Sequence, residues 1–167
     1  MNSKAKEYID KLQLQAHLEG GYFSEVYRSE EIISGDHLPV RYGASRSFST
    51  SIYFMLEGDQ VSTFHRLKSD ELWHFYDGTA LDIYIIDEKG ILNKTRIGNN
   101  INSGETFQTV VKKNCWFGAE LINKSSFALI GCTVSPGFDF NDFELAGRNK
   151  LIKKYPEHEE IIIKLTK

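Results

Sequence analysis

The chain has 167 residues, with 20 Lys and Arg against 23 Asp and Glu for a formal net charge of −3. That length suits one domain with a full core, and the near-neutral balance argues against a polyanion or membrane-surface partner. The share of aromatic residues is 13%, carried by 11 Phe, 8 Tyr and 2 Trp, which favours half-buried pleated surfaces and hence a β-rich fold.

The N-terminal stretch MNSKAKEYIDKLQLQ is charged and lacks an apolar leader core. No apolar run reaches the ~18 residues of a membrane span. Two cysteines, Cys115 and Cys132, are too few for a disulfide scaffold or a four-thiolate zinc site, and both are expected to be inert, buried small hydrophobes. A reducing cytoplasm is the expected location.

Ile9, Leu12, Leu14 and Leu18 recur with helical spacing, so a first helix is expected over about residues 4–18. Ser3 is its expected N-cap, Gly20-Gly21 its stop, and His17 should meet the last carbonyls. Tyr22–Arg28 alternates as a strand. Ser29–Ser47 reads as a long loop, a candidate lid or dimer arm, with a short strand near Val40–Tyr42. From there short strands follow one another between turn residues: Ser49–Glu57, Val61–Leu67, Leu72–Tyr76, Leu81–Asp87, Leu92–Ile97, Phe107–Val111, Cys115–Leu121 and Phe127–Val134. Such spacing without intervening helices predicts an all-β sandwich or barrel. After Ser135-Pro136-Gly137 a second helix is expected over about 145–155, then the short apolar tail Ile161–Leu165.

The densest chemistry lies in Phe64-His65-Arg66-Leu67-Lys68-Ser69-Asp70-Glu71-Leu72-Trp73-His74-Phe75. His65, Glu71 and His74 are metal ligands by type, and His with Glu also suits acid–base work. Strand alternation puts Glu71, Trp73 and Phe75 on one face and Leu72, His74 and Tyr76 on the other, which separates Glu71 from His74. The plainer reading of His65 and Glu71 is a surface pair beside a hairpin. A carboxylate between aromatic rings should have a raised pKa unless a cation pairs with it, and Arg66 and Arg46 are the candidate cations. No glycine-rich phosphate loop, Gly-x-Ser-x-Gly elbow or Cys-x-x-Cys is present.

Four segments together resemble the fifth cupin family, long catalogued as a domain of unknown function. They are Leu18-Glu19-Gly20-Gly21-Tyr22-Phe23-Ser24-Glu25-Val26-Tyr27-Arg28, Ser51-Ile52-Tyr53-Phe54-Met55-Leu56, Ser62–Leu67 with Asp70–Gly78, and Gly131–Phe143. The resemblance covers about Leu12 to Pro156. It implies a double-stranded β-helix, or jelly-roll barrel, that assembles as a homodimer, with one domain over 1–167 and a core at about 18–143. Against the general cupin pattern, Gly58, Glu71 and Gly78 keep the first motif's spacing, but His65 stands without a second histidine. Phe117 occupies the place of the second motif's histidine, Lys112 and Asn114 replace its Pro-x-Gly, and Leu18 stands where the family usually has Pro. Two of the four usual ligands are therefore missing, and no metal or other cofactor is expected.

The leading expectation is a small-molecule-binding cupin whose ligand is carbohydrate-like, a sugar or nucleotide-sugar, with no nucleic-acid or membrane partner. Metal-free epimerases of the fold are the nearest analogy. His65 is the expected base and Glu71 the acid, with Trp73, Phe75, Trp116, Arg46, Arg66 and Tyr53 lining the pocket. The alternatives are a divalent-metal isomerase or dioxygenase using His65 and Glu71, and a non-enzymatic dimeric binding protein.

Overall fold

A computed structural model describes residues 2–167. The chain opens with α1 (Ser3–Lys11) and β1 (Gln15–Ala16), followed by β2 (Tyr22–Arg28). The arm after β2 holds β3 (Ile32–Ile33) paired with β4 (Arg46–Ser47). Then come β5 (Thr50–Glu57), β6 (Val61–Leu67), β7 (Asp70–Gly78), β8 (Leu81–Ile86), β9 (Leu92–Ile97), β10 (Gln108–Val111), β11 (Trp116–Leu121) and β12 (Phe127–Ser135). The chain closes with β13 (Phe143–Leu145), α2 (Arg148–Lys154) and α3 (Glu159–Lys164).

Two antiparallel sheets form the barrel, one ordered β1-β2-β5-β12-β7-β10 and the other β13-β6-β11-β8-β9. The interior is filled from both: Phe54, Trp73, Phe75 and Ile130 on one side, Ile83, Phe117, Ala119 and Leu121 on the other. Along each strand the inward residues fall at alternate positions, as a pleated backbone requires. The opposite face of β6 and β11 is also buried. Phe64 and Trp116 pack there against Leu151, Tyr155, Ile162 and Leu165 of the C-terminal segment. The expected all-β jelly roll is thus the architecture observed.

Several expected boundaries are corrected. The first helix ends at Lys11, not Leu18, because Gln13 takes φ 53° and Gln15–Ala16 turns back to pair with Phe23 and Tyr22. Its N-cap is Asn2 rather than Ser3, the Asn2 side chain accepting from the N–H groups of Lys4 and Ala5. Val40–Tyr42 is a 3-10 turn instead of a strand. The second helix begins at Arg148 rather than about residue 145, since Phe143–Leu145 is a strand paired with β6. The apolar residues of this stretch serve two different faces: Phe143 packs inward, while Leu151 packs on the far side of the sheet.

The turn between β1 and β2 carries one wall of the barrel's open end. Gly20 and Gly21 have φ of 110° and 70°, and a Cβ on Gly20 would lie 2.2 Å from the Val61 carbonyl oxygen. Only glycine permits that backbone and that approach. The tight turn lets Glu19 reach the edge of β6, where its carbonyl accepts from the Thr63 N–H and hydroxyl, both at 2.9 Å.

Candidate functional site

At the open end of the barrel a cavity of about 290 Å³ lies between the sheets. Its floor is formed by five buried or nearly buried polar side chains: His17, Glu19, His65, Glu71 and Cys132. His65 projects from β6, Glu71 from β7 and Cys132 from β12, each on its strand's inward face; His17 and Glu19 come from the glycine turn. Phe23, Ile52, Leu67, Val134 and Phe143 form the walls. Glu25, Arg28, Asp139 and Phe140 stand at the mouth.

Hydrogen bonds determine where the floor's protons sit. The His65 Nδ1 lies 2.8 Å from the Thr63 carbonyl, which can only accept, so Nδ1 carries a hydrogen and the neutral ring keeps its lone pair on Nε2. That Nε2 is 3.3 Å from Glu19 Oε2. The contact therefore needs one proton, held either by Glu19 or by His65. The other Glu19 oxygen accepts from the Ser62 hydroxyl at 2.8 Å. His17 turns its Nδ1 to Glu19 as well, 3.3 Å from the Glu19 N–H, from which the neutral ring accepts with its hydrogen on Nε2, and 3.5 Å from Glu19 Oε2. No protein group among the described residues meets that Nε2, and no buried side-chain N or O lacks a partner, so it is reached from the cavity. Glu71 Oε2 accepts from the Trp73 indole N–H at 2.9 Å.

Burial moves all of these groups toward neutrality. It pushes both Glu19 and Glu71 up to about 7, partly opposed by His17 and Ser62 at Glu19 and by His65 at Glu71. Burial also holds the His65 and His17 imidazoles below their ordinary value, against the pull of Glu71 on His65 and of Glu19 on His17. The Cys132 thiol is raised well above its ordinary value by burial, then by the neighbouring carboxyls. Groups so close exchange protons as a set rather than singly. The floor can hold or release a proton near neutral pH, the condition that general acid–base chemistry needs.

His65 and Glu71 are brought together as the sequence suggests, and Glu71, Trp73 and Phe75 do share the inward face while Leu72 and Tyr76 turn outward. The six expected pocket residues stand elsewhere. Trp73 and Phe75 lie deeper in the core, Trp73 touching the site only through its bond to Glu71. Trp116 faces the C-terminal helices because Phe117 takes the inward position on β11. Arg66, one residue out of phase with His65, stacks over Trp116 at 4.6 Å and pairs with Glu144. Arg46 is bound bidentately to buried Asp142, and Tyr53 packs on the outer face beside Tyr76.

The cavity's aromatics are instead phenylalanines. Phe138, Phe140 and Phe143 form an edge-on cluster with ring centroids 5.1–6.2 Å apart, and Phe23 meets His17 edge-on at 4.7 Å. His17, expected at a helix end, and Glu19 are site residues that sequence reasoning misses. The signal for them is the double glycine directly after Glu19, which a helical period presents only as a stop. At the mouth, Arg28 gives its Nε and Nη2 hydrogens to Glu25 at 3.0 and 2.7 Å and its Nη1 hydrogen to the Phe138 carbonyl at 3.1 Å.

The barrel and the signature segments around this cavity match the model of a protein family described as Cupin_5, Cupin superfamily (DUF985), over residues 6–146. The chain belongs to the Cupin_5 family. Among solved structures, protein SO0799 of Shewanella oneidensis is similar with a TM-score of 0.89 and 38% identity, over 100% of this chain and 98% of that one. A hypothetical protein from Leishmania major matches with a TM-score of 0.87 and 33% identity, over 97% and 98%. The uncharacterized yeast protein YML079W, from Saccharomyces cerevisiae, is 29% identical over 160 residues, 89% of this chain and 79% of its own length. Bacillus subtilis oxalate decarboxylase shares the fold alone, with a TM-score of 0.54 and 15% identity over 90% of this chain and 36% of that one.

Cupins often carry a metal, and here Phe117 stands opposite His65 on the neighbouring strand and adds no donor there. The Phe117 ring lies against that of His65 with centroids 4.0 Å apart, and the His65 Nε2 meets Glu19. Among the described residues no group of three or more His, Cys, Asp and Glu side chains is placed to hold an ion.

Proposed function

We propose that this cupin binds a small molecule in the cavity between its sheets and moves a proton on it without a metal, in the manner of an epimerase or isomerase. The observation that carries this reading is the cavity floor, where His65 has its tautomer set by Thr63 and faces Glu19, with Glu71 beside them. In the state in which His65 is neutral and Glu19 ionised, the pair lacks its shared proton and takes one up from the ligand, and Glu71, protonated through part of the population near pH 7, supplies one. The exchange balances, and no co-reactant is consumed. The volume of about 290 Å³ sits at the small end of ligand cavities, ~300–1,000 Å³, so a body of monosaccharide size fits better than an enclosed nucleotide-sugar.

A thermal-shift screen of monosaccharides, amino sugars and small aromatic compounds tests the reading. Saturation by a true ligand at about 100 times Kd adds roughly 2.7 kcal/mol, or about 5–10 °C in Tm. That shift should vanish in His65→Ala. A panel of such compounds that leaves Tm unmoved overturns the proposal.

A homodimer accompanies this reading. Its support is the uncharged outer face of the larger sheet, where Leu72 and Val110 are cross-strand neighbours and Tyr76 is 51% exposed. An isologous contact between two such faces is the simplest way to cover them. Light scattering should give twice the chain mass, reduced to one chain mass by Leu72→Glu with Tyr76→Glu; a monomeric native protein excludes the dimer.

A further inference from the structure

We propose that the cavity selects small organic cations, an amine or quaternary ammonium carried on a compact apolar body, over neutral and anionic molecules of the same shape. This deepens the reading of the cavity as a ligand site and rests on it. The lining is unbalanced in charge. Four carboxyl groups face the cavity, Glu19 and Glu71 on the floor and Glu25 and Asp139 at the mouth, against one guanidinium among the described residues, that of Arg28. That guanidinium is paired with Glu25, which offsets its charge, and three of its five N–H groups go to Glu25 and the Phe138 carbonyl. A phosphate or carboxylate entering here meets no unpaired cation and several acids, a mismatch that costs binding. Asp139 is held ionised by the Asn141 N–H and the nearby Arg46 and Arg28, so the mouth carries negative charge at neutral pH.

The remaining groups point the same way. His17 and His65 are both biased toward the neutral ring and add no compensating positive charge; Cys132 stays a thiol. A cation reaching the floor replaces the missing counter-charge of Glu19 and Glu71. The walls suit an organic ion rather than a bare metal. Phe23, Phe138, Phe140 and Phe143 surround the path inward, and a cation within about 6 Å of a ring face gains cation–π attraction. Because the two floor carboxyls titrate at about 7, a bound cation favours their ionised forms. Binding at pH 7 should therefore release protons to the buffer, and affinity should rise roughly tenfold from pH 6 to pH 8 where one such carboxyl must ionise.

The test is calorimetry on the full chain with three probes of matched size: phenethylamine, 2-phenylethanol and phenylacetate. The expected result is phenethylamine binding at least tenfold tighter than the alcohol, with no heat from phenylacetate. Injections in phosphate and HEPES should differ by the heat of released protons. Glu71→Gln keeps the shape of the protonated side chain; it should cost the amine tenfold or more and the alcohol less than threefold. Asp139→Asn, at the partly exposed mouth, should slow amine association without altering the fold. Alcohol or phenylacetate binding as well as the amine overturns the cation proposal while leaving the ligand-site reading standing. Stoichiometric uptake of Zn2+ or Mn2+ that displaces phenethylamine overturns it in favour of a metal. Silence from all three probes, together with a silent thermal-shift screen, removes both.

Discussion

At Glu71 burial opposes ionisation, and the sign of the consequence is clear. Its folded pKa of about 7 lies above the ordinary 4.5, so the folded protein holds the extra proton. The stability linked to it is intact below about pH 4.5 and is lost as pH rises through about 7. Glu71→Gln mimics the protonated form and can still accept from Trp73. It should therefore melt higher than the native protein at pH 8, by an amount worth on the order of 1–3 kcal/mol, with the two curves meeting near pH 4.5. Denaturation across this pH range checks it, and a variant less stable at pH 8 would contradict the account. At His65 the prediction concerns the proton itself. Nitrogen-15 spectra should show the neutral ring protonated on Nδ1, as the bond to Thr63 requires; an Nε2–H ring would show that the carbonyl does not set the tautomer.

At the scale of elements, the β1–β2 turn is where the site is made. Gly20→Ala asks a side chain to occupy φ 110° and to sit 2.2 Å from the Val61 oxygen. It should cost at least about 2 kcal/mol, and it should also move Glu19 off His65, so that the His65 titration shifts with the loss of stability. Urea unfolding and a histidine titration of the same variant measure both, and an unchanged His65 would mean that Glu19 is not held by the turn. This element also shows what is legible in the sequence. The strands Val61–Leu67 and Leu92–Ile97 are readable to the residue because turn residues bound them, Gly58-Asp59 and Lys68-Ser69-Asp70 around the first, Glu88-Lys89-Gly90 and Gly98-Asn99-Asn100 around the second. His65 with Glu71 is readable for the same reason. His17 and Glu19 are not: Leu12, Leu14 and Leu18 fit a helical period, and only pairing of Gln15–Ala16 with β2, a contact made in the folded sheet, overrides it.

Across the whole molecule, the expectation of a β-barrel rich in aromatics holds, but the aromatics are divided differently between core and cavity. Trp73 and Trp116 satisfy packing on two sides of the barrel wall, whereas Phe138, Phe140 and Phe143 arrive after β12 to cover the open end. Parity along a strand separates inward from outward positions. It does not say which strand end stays open, since that depends on how the chain returns over the mouth. The same global arrangement places Phe117 opposite His65, and the metal reading is tested there. Protein purified without chelator should hold less than ~0.1 divalent ion per chain, and exhaustive EDTA treatment should leave Tm unchanged. A stoichiometric ion, or a Tm lowered by EDTA, would reverse that reading.

The central claim is that two buried carboxyls at the cavity floor exchange protons near neutral pH. Carbon-13 titration of the glutamate side-chain carboxyls between pH 4 and 9, assigned with Glu19→Gln and Glu71→Gln, tests it most directly. Two carboxyl resonances that titrate well above the ordinary 4.5, in steps shared between Glu19 and Glu71, are predicted; both titrating at 4.5 would contradict the account.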